Sequence, residues 1–448
     1  MMKTVKDSTA SSAELPRELT LLDSTMINVG SMIGSGIFIV PAAITLQLQA
    51  SSLVVLAWII GGIVSLCGAL SIAELGALMP RTGGQYVYLR EAYGPLWGFL
   101  YGWSAFLVIN TASIAAVAAT CAAYCGYFFP LSPVASKLVA VFSIILLTAI
   151  NCFGIRFGTV MQNGFSLVKI GSLAALALFC FLLTGGTLSN FSPVLPSLPF
   201  GNMAGAMGLA LISVLWSYDG WIEITYVAGE IKNPQRTLPR SLILSTVIVI
   251  LVYVVLNVGY MYTLSLAEIS HSSLVASDSA LKVLGTTGAA FVALAVIIST
   301  FGANNGFILT SPRIYYAMAR EGLFFKWLAT LHPKYRTPIP SLIVQAILSI
   351  ALILSGTYDQ LITYVVFASW VFYAMSVGGV FLLRRRSPLT VRPYNVWGYP
   401  VTPIVFIVFS LWLVANSIME DPKDSLVGIV IVLLGIPAYL FWKKRNTT

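Results

Sequence analysis

Long apolar runs separated by short polar segments recur along the whole chain. Twelve of them reach bilayer length, at about 22–46, 52–79, 97–124, 135–153, 162–184, 205–229, 240–263, 287–311, 338–355, 360–383, 399–418 and 425–442. Runs of about 18 or more apolar residues are read as membrane-crossing helices, so the pattern predicts an all-α polytopic membrane protein with 12 transmembrane helices. Two runs are interrupted. In the first, Gly30-Ser31-Met32-Ile33-Gly34-Ser35-Gly36-Ile37 sets three glycines and two serines near the middle. In the sixth, Trp216-Ser217-Tyr218-Asp219-Gly220 places a carboxylate and a turn pair inside apolar surroundings, with Glu223 four residues beyond Asp219. If that helix is continuous, both carboxylates share one face.

Glycine costs a helix interior about 1 kcal/mol relative to alanine. Backbone freed from a helix at membrane depth is tolerated only where protein buries it or a cavity wets it. A break at Ile33, Gly34, Ser35, Gly36 and Ile37 leaves amide groups at the start of a second half-helix, where the helix dipole favours an anion. Close packing of a small-residue face accounts for the same glycines, and both readings stay open here. Interruptions at positions one and six mark two five-helix inverted repeats with a binding site between them. The expected division is a cytoplasmic tail 1–20, a first repeat 21–184, a second repeat 205–386, two added helices in 399–442, and a cytoplasmic tail 443–448. The tail 1–20 reads as disordered. It lacks a cleavable apolar leader, so the first span is expected to be retained.

The break in span six leaves carbonyls near Trp216, Ser217 and Asp219, suited to an ammonium. Amides at one break and carbonyls at the other fit a zwitterion carrying both charges on one carbon, an α-amino acid. Trp216 is placed to cover such a ligand as a gate; an ordinary core or lipid-facing ring is the competing reading. Asp219 and Glu223 also suit plain bridges between neighbouring helices.

Charge changes the picture next. The chain has 448 residues, 58% hydrophobic and only 9% charged, with a net charge of +9. Of its 25 Lys and Arg, 21 fall in alternate segments on one side of the spans, and only Lys137, Lys282 and Lys423 fall on the other. The positive-inside rule then puts both termini in the cytoplasm. Sidedness explains the positive charge, so no nucleic acid partner is expected.

Lys169 is the remaining cation, and it lies inside span five. A lysine at the centre of a span costs about 2.5–3.5 kcal/mol on insertion scales and demands a partner. Its place at the end of the first repeat suggests an ammonium that holds spans one and eight together; snorkelling to the interface is the alternative. Span eight offers a polar stripe for this, Ser299-Thr300-Phe301-Gly302-Ala303-Asn304-Asn305-Gly306. A fixed cation there argues against sodium coupling. The five cysteines have no metal-ligand spacing with His271 or His332, so no metal and no cofactor are expected. The segment Arg81 to Gly94, after a turn marked by Pro and the Gly pair, is aromatic with two arginines and suits a short helix at the inner membrane face, with Tyr86, Tyr88 and Tyr93 at headgroup level.

Taken together, Ile33-Gly34-Ser35-Gly36-Ile37-Phe38, Pro80-Arg81-Thr82-Gly83-Gly84-Gln85-Tyr86, Tyr218-Asp219-Gly220-Trp221, Lys232-Asn233-Pro234-Gln235-Arg236 and Ala319-Arg320-Glu321-Gly322 resemble the L-type amino-acid transporter (LAT) family of the amino acid–polyamine–organocation (APC) superfamily. The resemblance runs from Leu21 over nearly the whole chain. It implies a LeuT-like fold of 5+5 inverted repeats with discontinuous helices 1 and 6, and sodium-independent exchange of amino acids by alternating access. It also implies that Trp216 matches the aromatic gate and Lys169 the lysine of the family's fifth span. Eukaryotic members join a heavy subunit through a cysteine in the outer loop after span three. Here that loop reads Phe129-Pro130-Leu131-Ser132-Pro133-Val134, and Ser132 stands where the cysteine falls. A stand-alone, prokaryote-like member with no disulfide-linked heavy subunit is the expectation.

The functional expectation is an antiporter of neutral L-amino acids in the cell membrane, with small substrates such as alanine, serine, cysteine and threonine. Large neutral or aromatic substrates form one alternative, and a non-transporting amino-acid sensor the other. An enzyme is not expected, because no nucleophile–base–acid set appears.

Overall fold

The computed structural model describes residues 15–183, 186–195, 200–355, 358–420 and 422–447. Residues 1–14 and 448 of the expected tails lie outside the described residues, as does part of the 185–204 loop. Among the described residues, eight helices are long and apolar enough to cross a membrane alone, and Leu21–Met32 with Gly36–Leu48 make a ninth as a pair bent by 44°. Two shorter apolar helices, Met203–Ser217 and Ile339–Ser355, and the long helix Tyr358–Arg386 occupy the remaining apolar runs. The chain is thus a polytopic helical membrane protein.

Local chemistry sets the boundaries of span one. Thr20 caps Leu21–Met32 with a reciprocal box, its hydroxyl accepting from the Asp23 amide and the Asp23 carboxylate accepting from the Thr20 amide. The helix stops at Met32 because Ile33 leaves helical geometry, with φ −80° and ψ 88°. It resumes at Gly36 with no side-chain cap from Ser35. Span six likewise stops at Ser217, turns at Gly220 with φ +99°, and resumes as a 3-10 helix over Glu223–Glu230. Asp219 and Glu223 therefore do not share a face of a continuous helix.

Without water between helices, association depends on close packing and polar contacts rather than on apolar burial. The two halves of span one sit at the centre. Leu21–Met32 packs on span five (Ile155–Leu182), span seven (Pro234–Thr263) and span eight (Thr286–Thr310), while Gly36–Leu48 packs on span six. The eleventh and twelfth helices, Val401–Glu420 and Pro422–Thr447, lie outside this group, against spans two, three and ten. Span three carries a π-helical turn over Ala105–Ile109, where the Tyr315 hydroxyl donates to the Ala105 carbonyl at 3.3 Å.

Three features depart from the sequence reading. Two short helices, Leu266–His271 and Val275–Leu284, fill the loop between spans seven and eight and rest on Gly36–Leu48. The segment Leu15–Thr20 is not loose: the Glu18 and Leu19 amides donate to the Glu230 carbonyl at 2.8 and 2.9 Å, and Lys232 donates to the Leu19 carbonyl at 2.8 Å. The helix Gln85–Tyr93 exists, but Tyr86 and Tyr88 are fully buried in protein instead of sitting among headgroups. The Tyr86 hydroxyl donates to Glu321 at 2.6 Å, which draws its ring inward.

Candidate functional site

The two breaks lie against each other, and glycine makes this possible. A methyl group added at Gly36 would stand 2.6 Å from the Ser217 Oγ and 3.0 Å from its Cα. One added at Gly220 would stand 2.9 Å from the Ser31 carbonyl carbon and 3.1 Å from the Met32 nitrogen. Backbone therefore meets backbone at both crossings, a closeness only glycine permits.

A small cavity of about 50 Å³ opens at this junction. Gly34, Ser35 and Gly36 form one wall, and Trp216, Ser217 and Asp219 form another. Ser113, Val117 and Phe307, from spans three and eight, complete it. Of the residues expected at the site, Ile33 and Ile37 are fully buried and do not line the cavity. Ile33 contributes through its carbonyl.

The helix restarting at Gly36 begins beside the cavity, with Ser35 and Gly36 lining it; of its first-turn amides, that of Phe38 donates to the Ser35 carbonyl at 3.1 Å. The opposite wall supplies oxygen. The Asp219 carboxylate is half-buried there, with one oxygen accepting from the Tyr373 hydroxyl at 2.7 Å. The Trp216 carbonyl accepts the Asp219 amide at 3.1 Å, which keeps a lone pair for another donor. The two walls thus differ in chemistry, with backbone amides on one and carbonyl and carboxylate oxygens on the other.

Lys169 secures the first break. Its ammonium is buried and donates to the carbonyls of Gly30 and Ile33, both at 2.7 Å. The Ser299 hydroxyl lies 3.2 Å from the same Ile33 carbonyl and 3.1 Å from that of Gly34. Spans five and eight thus converge on the carbonyls left over where the first half-helix ends. Gly302 leaves room for the lysine, since a methyl there would stand 3.2 Å from its Cε. The snorkelling alternative does not hold, because the ammonium turns into the protein.

Two residues that tie the breaks together carry no signal in the sequence. Tyr253, from span seven, places its hydroxyl 3.0 Å from the Met32 carbonyl and 3.0 Å from the Ser217 carbonyl, so one proton is shared between the two breaks. Asn28 donates to the Trp221 carbonyl at 2.6 Å and to Ser245 at 2.8 Å, and accepts from the Ile224 amide at 3.2 Å. A tyrosine and an asparagine in apolar runs look like ordinary core residues until their partners are known.

Beyond Asp219 lie further buried polar contacts. Glu223 accepts from Thr310, and the Tyr101 hydroxyl donates to that of Tyr226 at 2.7 Å. Further along, Arg313 and Glu230 form a buried two-bond ion pair at 2.8 and 3.2 Å. The pinned segment Leu15–Thr20 closes over the Glu230 carbonyl. No group of three or more metal-binding side chains occurs among the described residues.

Comparison with known proteins agrees with this architecture. Residues 19–438 match the amino acid permease family. The serine/threonine exchanger SteT of Bacillus subtilis is 34% identical over 438 residues, covering 97% of this chain and 98% of that protein. The mouse b(0,+)-type amino acid transporter 1 is 32% identical, covering 96% and 88% respectively. The human large neutral amino acids transporter small subunit 2 is 33% identical, covering 96% and 82%. With a broken-helix cavity at its centre and a family match over nearly its full length, this chain belongs to the amino acid permease family of the APC superfamily.

Proposed function

We propose that the protein is a sodium-independent exchanger of neutral L-amino acids, working by alternating access. The observation that carries this reading is the pair of facing walls, first-turn amides at Gly36 against carbonyl and carboxylate oxygens at Trp216 to Asp219. A substrate carboxylate docks on the amides of Ser35 and Gly36, and its ammonium docks on the opposite oxygens. Trp216 borders the cavity and closes over the ligand. The Lys169 side chain donates to two carbonyls at the first break, so the site needs no sodium ion to hold spans one, five and eight together.

Small substrates fit best, because Trp216, Phe307 and Val117 crowd the side-chain end of the cavity. The name of the SteT relative, a serine/threonine exchanger, supports that preference, while the large neutral amino acids transporter supports the alternative. The two five-span halves, 21–184 and 205–386, act as inverted repeats around the site. The 21-to-3 distribution of basic residues supports a topology with both termini in the cytoplasm, and the cell membrane is the compartment assigned to this reading. With Ser132 at the loop position of the linking cysteine, the protein works without a disulfide-linked heavy subunit.

Purified protein in proteoliposomes tests the reading. Radiolabelled L-serine should enter vesicles preloaded with unlabelled amino acid, equally with sodium or potassium outside. Equal uptake into empty vesicles would refute exchange, and binding without uptake would favour a sensor. A twenty-member competition panel then decides between small and large neutral substrates.

A further inference from the structure

Away from the substrate cavity, two adjoining hollows of about 500 and 280 Å³ lie at the basic end of the molecule, sharing Gly322 and Lys326. The larger gathers three cations, Arg320, Lys326 and Arg336, and no carboxylate lines it. The nearest acid in sequence, Glu321, is turned away and held by the Tyr86 hydroxyl and the Arg90 guanidinium. Its charge therefore does not neutralise the hollow.

The smaller hollow is apolar and aromatic, with Arg445 at its edge. Phe324 and Trp442 form a buried floor, their ring centres 5.4 Å apart. Phe325 packs edge-on against Trp442 at 5.1 Å, yet 43% of its surface is exposed, as is 51% of Trp327. Exposed Phe and Trp beside a cluster of cations, where span twelve ends, match the chemistry of the bilayer interface: apolar tails on one side, phosphate on the other.

We propose that the joined hollows form a binding site for one anionic phospholipid. Its headgroup phosphate lies among Arg320, Lys326 and Arg336, and its acyl chains run along Phe325 and Trp327. A soluble phosphate compound would use the cations but leave the aromatic wall in water, and a zwitterionic lipid would bring no net charge to match them. The site thereby joins the loop after span eight to the end of span twelve through a lipid. It requires only that the protein sit in a bilayer and is independent of which amino acid is exchanged.

The test uses delipidated full-length protein in detergent, titrated with phosphatidylglycerol and followed by native mass spectrometry. Lys326→Gln and Trp327→Ala are surface changes, and their melting temperatures confirm folding. Each variant should weaken the tightest phosphatidylglycerol adduct, and the pair together should weaken it about five- to tenfold, as expected for losing one interfacial cation and one apolar contact. Phosphatidylcholine at the same concentration should give no such adduct, and inorganic phosphate should not displace it. Unchanged affinity in the folded double variant would overturn the proposal. So would equal binding of phosphatidylcholine, which means a generic apolar patch, or competition by inorganic phosphate, which means a soluble-anion site.

Discussion

Gly36→Ala is the sharpest probe of the crossed breaks. The added methyl would meet Ser217 at 2.6 Å from Oγ, 2.9 Å from Cβ and 3.0 Å from Cα. Carbon atoms rest about 3.5–4.0 Å apart, so the two broken segments must separate by roughly 0.5–1 Å. A new serine rotamer moves Oγ but leaves Cα in place. Overpacking of this kind costs about 1–3 kcal/mol, partly offset by the better helix propensity of alanine, about 1 kcal/mol. Both walls of the cavity are made by these segments, so the cost appears mainly in substrate affinity. One to two kcal/mol corresponds to a Kd roughly 5- to 30-fold higher. Calorimetric or scintillation-proximity binding of L-serine to purified protein gives that number. Gly164→Ala, whose methyl enters open space in span five, is the control for a glycine change as such. Gly34→Ala should weaken binding less than Gly36→Ala, because its methyl meets only the Ala303 Cβ at 3.9 Å. A folded Gly36→Ala protein that binds L-serine within twofold of the parent would refute the crossing as the basis of the site.

Three further outcomes follow from the same contacts. Lys169→Met removes both 2.7 Å bonds and leaves the Gly30 carbonyl without its lysine, a loss of about 1–3 kcal/mol; exchange should slow about tenfold or more, with unequal KM on the two faces, and parental rates with unchanged KM would count against the bridge. Tyr253→Phe keeps the ring packing on Trp58 and Tyr218 but removes the shared hydroxyl, so L-serine affinity should fall about three- to tenfold in the binding assay; an unchanged Kd would mean the breaks need no such tie. Glu230→Gln strands the buried Arg313 charge, at a cost of about 3–5 kcal/mol; the melting temperature should drop clearly, and the double replacement Glu230→Met with Arg313→Met should recover most of it. A single variant as stable as the parent would show that the pair contributes nothing to stability.

Much of the protein is determined locally. Apolar runs longer than a bilayer is thick cannot be anything but spans, because unpaired backbone in lipid is too costly. Glycine and serine clustered in one run, and Asp219-Gly220 in another, locate both breaks because helix interiors tolerate such residues poorly. A buried lysine demands a partner, so Lys169 announces a special contact wherever its chain leads. The partners themselves were decided only in three dimensions. Nothing local says that Lys169 reaches the Gly30 and Ile33 carbonyls, that Tyr253 bridges Met32 and Ser217, or that Asn28 holds the loop after Trp221. The second half of span six became a 3-10 helix, and Tyr86 and Tyr88 went inside, for reasons that lie in distant elements. The cause is the solvent: in a bilayer the faces turned to lipid and to protein are equally apolar, so hydrophobic periodicity cannot report which side of a helix meets which neighbour. Tertiary packing alone assigns those faces, and with them the polar contacts that build the site.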